Sequence, residues 1–360
     1  DFISSRYGKS TLLGGMVTII AVIGTTPYIS LQLKSIATSF TMLIEAPESA
    51  SIAGLGGGPF AIDTTLVVAV MLAMFAILFG TRHIDASEHH EGLVAAIAFE
   101  SLIKLFAFLA VGFFVTFGLY DGFGDLFAKA RDSMGDELVF GVTDGGGYAK
   151  WVTITLLSMA AIICLPRQFY ITAVENTDES HLRKAVWLFP LYLLVINIFV
   201  LPIAMGGKMT FPGIGADADM FVLTVPLFHD QQALALIAFI GGLSAATSMV
   251  IVASIALATM VCNNLVMPLL LRWRWVNVER GDLSQWLLAI RRISIIIILL
   301  LGYGYFRFAS ESYSLVTIGL VSFAAAAQFA PVIIGGIFWR DGSHQGALVG
   351  LMLGALIWVY

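Results

Sequence analysis

The chain has 360 residues, 59% of them hydrophobic and 12% charged, a mean hydropathy of +0.91 and a formal net charge of −5. Soluble domains carry about 25% charged residues, so this composition excludes an ordinary soluble domain and points to a membrane protein. So small a net charge gives no ground for nucleic-acid binding, and two cysteines, Cys164 and Cys262, both in apolar runs, do not make a disulfide framework.

Nine apolar runs are long enough to serve as spans. In chain order they are Thr11–Ile44, Leu66–Gly80, Gly92–Tyr120, Trp151–Ala173, Ala185–Met205, Ala233–Leu271, Leu287–Phe306, Leu315–Trp339 and Gly346–Tyr360. The second is short unless it begins near Ala61, and the last is cut off. The chain begins at Asp1 and stops inside that last run, so it reads as a piece of a longer polypeptide. No secretory signal is visible, and none is expected of an internal segment.

Lys and Arg in the connections set the orientation. One side holds 11 of them: Arg6, Lys9, Arg82, Arg183, Lys184, Arg272, Arg274, Arg280, Arg291, Arg292 and Arg340. The other holds 6: Lys34, Lys129, Arg131, Lys150, Lys208 and Arg307. The first side is predicted to be cytoplasmic. The longer loops, Glu45–Asp63, Asp121–Lys150 and Gly206–Asp230, then lie outside, with glycine-rich turns and excess acid. Nine spans leave the C-terminal end outside, so a cytoplasmic domain beyond it needs one more crossing.

Polar residues inside spans are candidates for function. The run Ala233–Leu271 goes 39 residues without a charge and carries Ser244, Thr247 and Ser248 near its centre. As one helix it would reach roughly 58 Å, about twice the ~30 Å hydrocarbon core, so it must tilt, overhang or break. Ser244 and Ser248 share a face, with Thr247 beside it. Hydroxyl and carbonyl oxygens at this spacing suit a dehydrated alkali cation. A small-residue packing face, with the hydroxyls bonded to the preceding turn, is the alternative.

Leu165-Pro166-Arg167-Gln168 sits near the inner end of the fourth span. Pro166 removes a helix hydrogen bond and frees a carbonyl, as in the broken helices of carriers. A plain kink with Arg167 snorkelling to the surface is the other reading. Glu100 and Lys104, four residues apart in the third span, have the order that favours an intrahelical ion pair. A proton-relay or gating role is the functional alternative. The segment Arg82-His83-Ile84-Asp85-Ala86-Ser87-Glu88-His89-His90-Glu91 holds three His and three acids, but its spacing fits no zinc pattern. It reads as a solvated helix start, with a carboxylate on a cation path as the alternative. Gln32, Asn197 and Gln328 are single amides within spans, serving as helix glue or as ligands. No nucleotide-binding loop, metalloprotease motif or nucleophile–base arrangement is present, and no enzyme activity is expected of this segment.

These residues resemble the sodium/solute symporter family over essentially the whole chain. The resemblance rests on Asp1-Phe2-Ile3-Ser4-Ser5-Arg6-Tyr7, on the helix broken at Pro166, on the Ser/Thr cluster, and on Gly335-Gly336-Ile337-Phe338-Trp339-Arg340 followed by Gly346-Ala347. A narrower resemblance, to the symporter-like module of CbrA-type sensor histidine kinases, rests on three stretches. They are Leu165-Pro166-Arg167-Gln168-Phe169, Trp187-Leu188-Phe189-Pro190-Leu191-Tyr192 and Ser322-Phe323-Ala324-Ala325-Ala326-Ala327-Gln328-Phe329-Ala330-Pro331.

The resemblance implies an all-α, polytopic membrane helix bundle with the five-plus-five inverted-repeat (LeuT-like) carrier fold. The piece would lack the first two core helices and would not transport alone. It also implies a single transmembrane domain over residues 1–360, in a bacterial inner (plasma) membrane. Ala233–Leu271 would contain core helix eight, which shares the coupling sodium with core helix one. Two registers carry the sodium-ligand pattern: Ala245, Ser248 and Met249, or Ser244, Thr247 and Ser248. The first puts a thioether, a poor sodium ligand, where the second keeps a hydroxyl. Glu88 aligns with the carboxylate lining the sodium route.

Ser158, Ile162, Pro166, Gln168 and Gln328 are the candidate pocket residues. Ser158 and Ile162 occupy places where proline carriers hold aromatics, so proline is a poor match. An amino acid such as histidine is the solute that the CbrA resemblance suggests. The implied partners are that small organic solute, the lipid bilayer and a kinase domain in the same polypeptide. No cofactor beyond a possible sodium ion is expected.

Overall fold

The structure, a computed structural model, describes residues 2–45, 63–80, 91–135, 147–212, 217–272, 283–310 and 313–360. Regular structure among the described residues is entirely helical. A short helix α1 (Phe2–Arg6) precedes α2 (Thr11–Glu45) and α3 (Thr64–Gly80). Next comes α4 (Glu91–Phe113), which continues as a π-helix over Phe114–Leu119. The amphipathic α5 (Phe123–Met134) follows, with Leu126 and Ala130 buried. The fourth predicted run is split between α6 (Gly147–Cys164) and α7 (Pro166–Phe169), with a π-helix over Tyr170–Val174. The fifth is split between α8 (Glu179–Asn197) and α9 (Val200–Thr210).

After α10 (Phe221–Phe228), α11 (Gln232–Val261) leads through a π-helix at Cys262–Val266 into α12 (Met267–Arg272). Helix α13 (Leu283–Tyr305) is followed by a π-helix over Phe306–Ser310. The chain ends with α14 (Leu315–Ala327), α15 (Ala330–Phe338) and α16 (His344–Val359).

Seven helical stretches are long and apolar enough to cross a bilayer, and the shorter Thr64–Leu78 and His344–Val359 coincide with the two remaining predicted runs. The molecule is a polytopic all-α membrane bundle. One apolar helix lies where a loop is expected: Ala218–Phe228 falls inside the outer connection Gly206–Asp230. At 11 residues it is far too short to span.

The helix boundaries have local causes. Asp63 Oδ1 accepts from the amides of Thr65 and Leu66 and caps α3. Asp178 accepts from Ser180 N at 2.8 Å and caps α8. That amide bond holds the Asp178 carboxyl below the usual carboxylate range. Ser314 and Ser343 cap α14 and α16 in the same way. Leu165 is extended, with ψ of 127°, because a residue before proline is pushed out of the helical region. The π-helix at the inner end of α11 shows how the charge-free run is accommodated. The α-helix is continuous past the hydroxyls for 30 residues, about 45 Å, and the irregularity comes only after Val261.

Contacts at the two ends of the bundle agree with the alternating order of the spans. At the inner end Arg6 Nε donates to Gly336 O, Tyr7 Oη donates to Val332 O at 3.0 Å, and His344 Nε2 lies 2.7 Å from Ser10 Oγ. At the outer end Lys34 Nζ donates to Tyr313 O at 2.8 Å, Asp219 accepts from Leu315 N, and Asp63 meets Tyr303 and Arg307.

Helices α2 and α11 form the centre, packed by α3, α4, α13 and α14. Small residues permit the closest approaches. A Cβ on Gly24 of α2 would stand 2.6 Å from Ala325 Cβ of α14, and one on Gly241 of α11 would overlap Ala107 Cβ of α4. Helix α8 buries none of its residues, and Trp187 is 79% exposed. Exposed Trp151 and Tyr148 stand at the start of α6, with exposed Trp286 and Trp339 at the opposite membrane edge. This placement fits the aromatic belts of a bilayer interface.

Candidate solute and ion site

Three of the four polar groups singled out in the sequence meet in the middle of the bundle. Glu100 and Lys104 lie on consecutive turns of α4. Arg167 follows the break at Pro166. Ser248 and Met249 lie on α11 and Tyr28 on α2. Of the 19 Lys and Arg residues, the predicted orientation assigns seventeen to the two sides; the two left over are Lys104 and Arg167.

The contacts cross between helices. The Ser248 hydroxyl donates to Ala245 O at 3.2 Å and lies within reach of the Glu100 carboxylate. Glu100 Oε2 is buried and has no hydrogen-bond partner among the described residues. Lys104 Nζ stands 5.8 Å from the centre of the Tyr192 ring, whose hydroxyl donates to Ser101 O at 3.1 Å and ties α8 to α4. The Arg167 guanidinium lies 5.6 Å from the centre of the buried Tyr28 ring, and its Nε is buried without a hydrogen-bond partner among the described residues. Arg167 is also close enough to Lys104 for the two charges to act on each other. Tyr28 Oη donates to Met249 Sδ at 2.9 Å. Glu100 is thus drawn toward α11 and Lys104 toward α8, instead of the two closing only upon each other along their helix.

A cavity opens on each side of this cluster. The outer one, about 220 Å³, is lined by Ser35, Ser39, Lys104, Asp219, Gly242 and Ala245 among others. The inner one, about 410 Å³, is lined by Pro166, Tyr170, Glu175, Thr259, Asn264 and Arg291 among others. In the inner cavity the Tyr170 hydroxyl meets the Glu175 carboxylate, with Arg291 nearby. Asn264 Nδ2 donates to Thr18 Oγ1 at 3.2 Å. Arg291 Nε is buried without a hydrogen-bond partner among the described residues.

The candidate cation residues fall around the same point. Ala245 lines the outer cavity beside Lys104, and Ser248 faces Glu100. The Met249 sulfur faces away, onto Tyr28. Ser244 and Thr247 are half-buried on α11. Among the candidate pocket residues, Pro166 lines the inner cavity and Gln168 is half-buried one turn into α7. Gln328 sits at the break between α14 and α15 with a buried, unpartnered Oε1, facing Gly354 of α16. Ser158 is half-buried, whereas Ile162 is 47% exposed and lines neither cavity. Of the three amides, Asn197 bonds back to Leu193 O at 2.6 Å, and Gln32 is buried. Glu88 and its histidine-rich neighbours lie outside the described residues. Among the described residues no group of three or more His, Cys, Asp or Glu could hold a metal.

Four participants escape sequence reasoning. Tyr28 sits in an apolar run that gives no reason to single out one tyrosine. Tyr170, Glu175 and Arg291 lie at span ends, where charge reads as surface. The available signal was that Arg291 falls four residues inside the predicted span Leu287–Phe306.

No family model matches the chain. Over 98% of its length it is similar, at 22% identity across 361 residues, to an uncharacterized symporter, YhjB, of Bacillus subtilis (strain 168). The chain spans about two thirds, 66%, of that relative's length.

Proposed function

We propose that this chain is the membrane module of a secondary carrier, which moves a small organic solute by symport with sodium or protons. The observation that carries the reading is the charged cluster of Glu100, Lys104 and Arg167 at mid-bundle, with a cavity on either side. Ionisable residues inside a span are costly and mark solute or ion pathways, and cavities toward opposite ends of the bundle suit access from alternate sides. The similarity to a symporter over nearly the whole chain supports the same reading.

The helix breaks at Pro166 and Gln328 support the five-plus-five inverted-repeat carrier fold that the resemblance implies. The resemblance to CbrA-type proteins adds a sensory role, in which solute occupancy or flux informs a histidine kinase in the same bacterial inner-membrane protein. It also makes histidine the first amino acid to test. A stand-alone symporter is the second reading, favoured by the name of the Bacillus relative. The parent sequence beyond Tyr360 separates the two, since a kinase domain after further spans belongs only to the sensor.

The test is uptake by the full-length protein in proteoliposomes, with and without a sodium gradient. Ser248→Ala is expected to reduce sodium-stimulated uptake about tenfold, as loss of a hydrogen bond to a charged group costs ~1.5–3 kcal/mol. Sodium stimulation unchanged in Ser248→Ala would remove Ser248 from the ion site. Uptake equal with a proton gradient alone would assign coupling to protons.

A further inference from the structure

Helix α1 lies between the inner cavity and water at the inner end of the bundle. Phe2, Ile3 and Ser4 line the cavity, and Ile3 and Tyr7, four residues apart on one face, are buried. Ser5, Arg6, Gly8 and Lys9 are exposed. The two ends of α1 are held differently. At its C-terminal end Tyr7 Oη donates to Val332 O at 3.0 Å and Arg6 Nε donates to Gly336 O, both on α15. Glycines build this seat: a Cβ on Gly335, Gly336 or Gly342 would stand 3.0–3.3 Å from the Tyr7 or Arg6 side chain. At the N-terminal end the Phe2 ring stands 5.8 Å from the Phe169 ring of α7. Gly8 and Lys9 both adopt left-handed backbone, with φ of 80° and 54°. They break the helix between α1 and α2, and Ser10 Oγ accepts from Leu13 N to start α2 afresh.

We propose that α1 is a strap across the mouth of the inner cavity, anchored on α15 through Arg6 and Tyr7 and closed on α7 through the Phe2–Phe169 contact. It opens by pivoting on the Gly8-Lys9 turn, which parts Phe2 from Phe169. Two aromatic rings separate without leaving a polar group unpaired, whereas parting Tyr7 from Val332 would leave a buried hydroxyl without its acceptor. The aromatic end is therefore the end that moves. Helices α7 and α15 each follow a helix break, at Pro166 and at Gln328. The strap thus joins the two irregular elements of the bundle, and a shift of either one bears on the mouth. The inference deepens the carrier reading above, which needs the inner cavity closed to its own side for part of each cycle.

The experiment uses the full-length protein in lipid nanodiscs, which leave both faces open, with Cys164 and Cys262 replaced by serine. Rates of reaction with a membrane-impermeant maleimide are measured in separate proteins carrying Thr259→Cys in the inner cavity, Gly242→Cys in the outer cavity or Ser5→Cys on the exposed side of α1. Thr259→Cys is expected to react much more slowly than Ser5→Cys. Adding Phe2→Ala or Tyr7→Phe, each of which removes one attachment, should raise the Thr259→Cys rate by about threefold or more and leave Gly242→Cys unchanged. Lys9→Pro, whose ring holds φ near about −65° and cannot keep the left-handed turn, should raise it too. Phe2→Leu keeps an apolar end and should stay close to the unsubstituted rate. Equal rates at Thr259→Cys and Ser5→Cys would overturn the strap, as would no rise in either Phe2→Ala or Tyr7→Phe. Matching rises at Thr259→Cys and Gly242→Cys would also overturn it, because they mean general loosening. The expected rates in a protein that takes up no solute into proteoliposomes would sink the carrier reading and leave the strap standing.

Discussion

Gly241→Leu is expected to lower the melting temperature of the full-length protein by about 5–10 °C, whereas Gly242→Leu leaves it nearly unchanged. A Cβ on Gly241 would overlap Ala107 Cβ, with Lys104 Cα 3.7 Å away, so the larger side chain must push α4 off α11. Overpacking of this kind costs ~1–3 kcal/mol, and about 1 kcal/mol moves a melting temperature by about 2–4 °C in a large domain. A Cβ on Gly242 meets nothing within 4 Å and points toward the outer cavity. The two variants add the same apolar volume one position apart, so helix propensity and hydrophobicity are matched. Equal losses in a thermal unfolding assay would refute the close approach of α4 and α11 at Gly241 and Ala107.

Arg167→Glu is expected to reduce solute uptake at least 100-fold while the protein remains monodisperse in detergent. The substitution changes the charge of the central cluster from one positive in excess to one negative in excess. It also replaces the donors nearest the Pro166 break with acceptors. The reversal adds a second carboxylate to the cluster that holds Glu100, and like charges brought together cost several kcal/mol, each 1.4 kcal/mol being about tenfold. Arg167→Gln, which removes the charge without reversing it, should fall between wild type and Arg167→Glu. Initial rates in proteoliposomes measure both variants. Uptake in Arg167→Glu within twofold of wild type would return Arg167 to the role of a snorkelling side chain at a simple kink.

The apolar runs and the Pro166 break were legible because their causes are local. A run of about twenty apolar residues has few other uses, and a proline acts on its immediate neighbours whatever surrounds it. The alternation of the spans was legible for a similar reason, and contacts such as His344 to Ser10 and Lys34 to Tyr313 join residues at one end of the bundle. Convergence was not legible. Glu100, Arg167 and Ser248 are separated by at least 67 positions, so only helix packing brings them together.

The Glu100–Lys104 spacing suggested an intrahelical pair. What the helix surface could not show is that Ser248 lies beside the carboxylate and Tyr192 beside the ammonium. Tyr28 was hidden for the opposite reason. A tyrosine in an apolar span looks like packing until its ring is found under a guanidinium and its hydroxyl on the Met249 sulfur. The short helix Ala218–Phe228 was missed because it follows a stretch rich in Gly and Pro, which reads as a loop.

The central claim is that the charged cluster separates two cavities facing opposite sides of the membrane. It is tested most directly by side-specific labelling of the full-length protein with Cys164 and Cys262 replaced by serine. Gly242→Cys probes the outer cavity and Thr259→Cys the inner one. With a membrane-impermeant maleimide on right-side-out and inside-out vesicles, each site is predicted to react from one face only, and the two from opposite faces. Labelling of both from the same face, or of either from both faces at equal rates, would contradict the account.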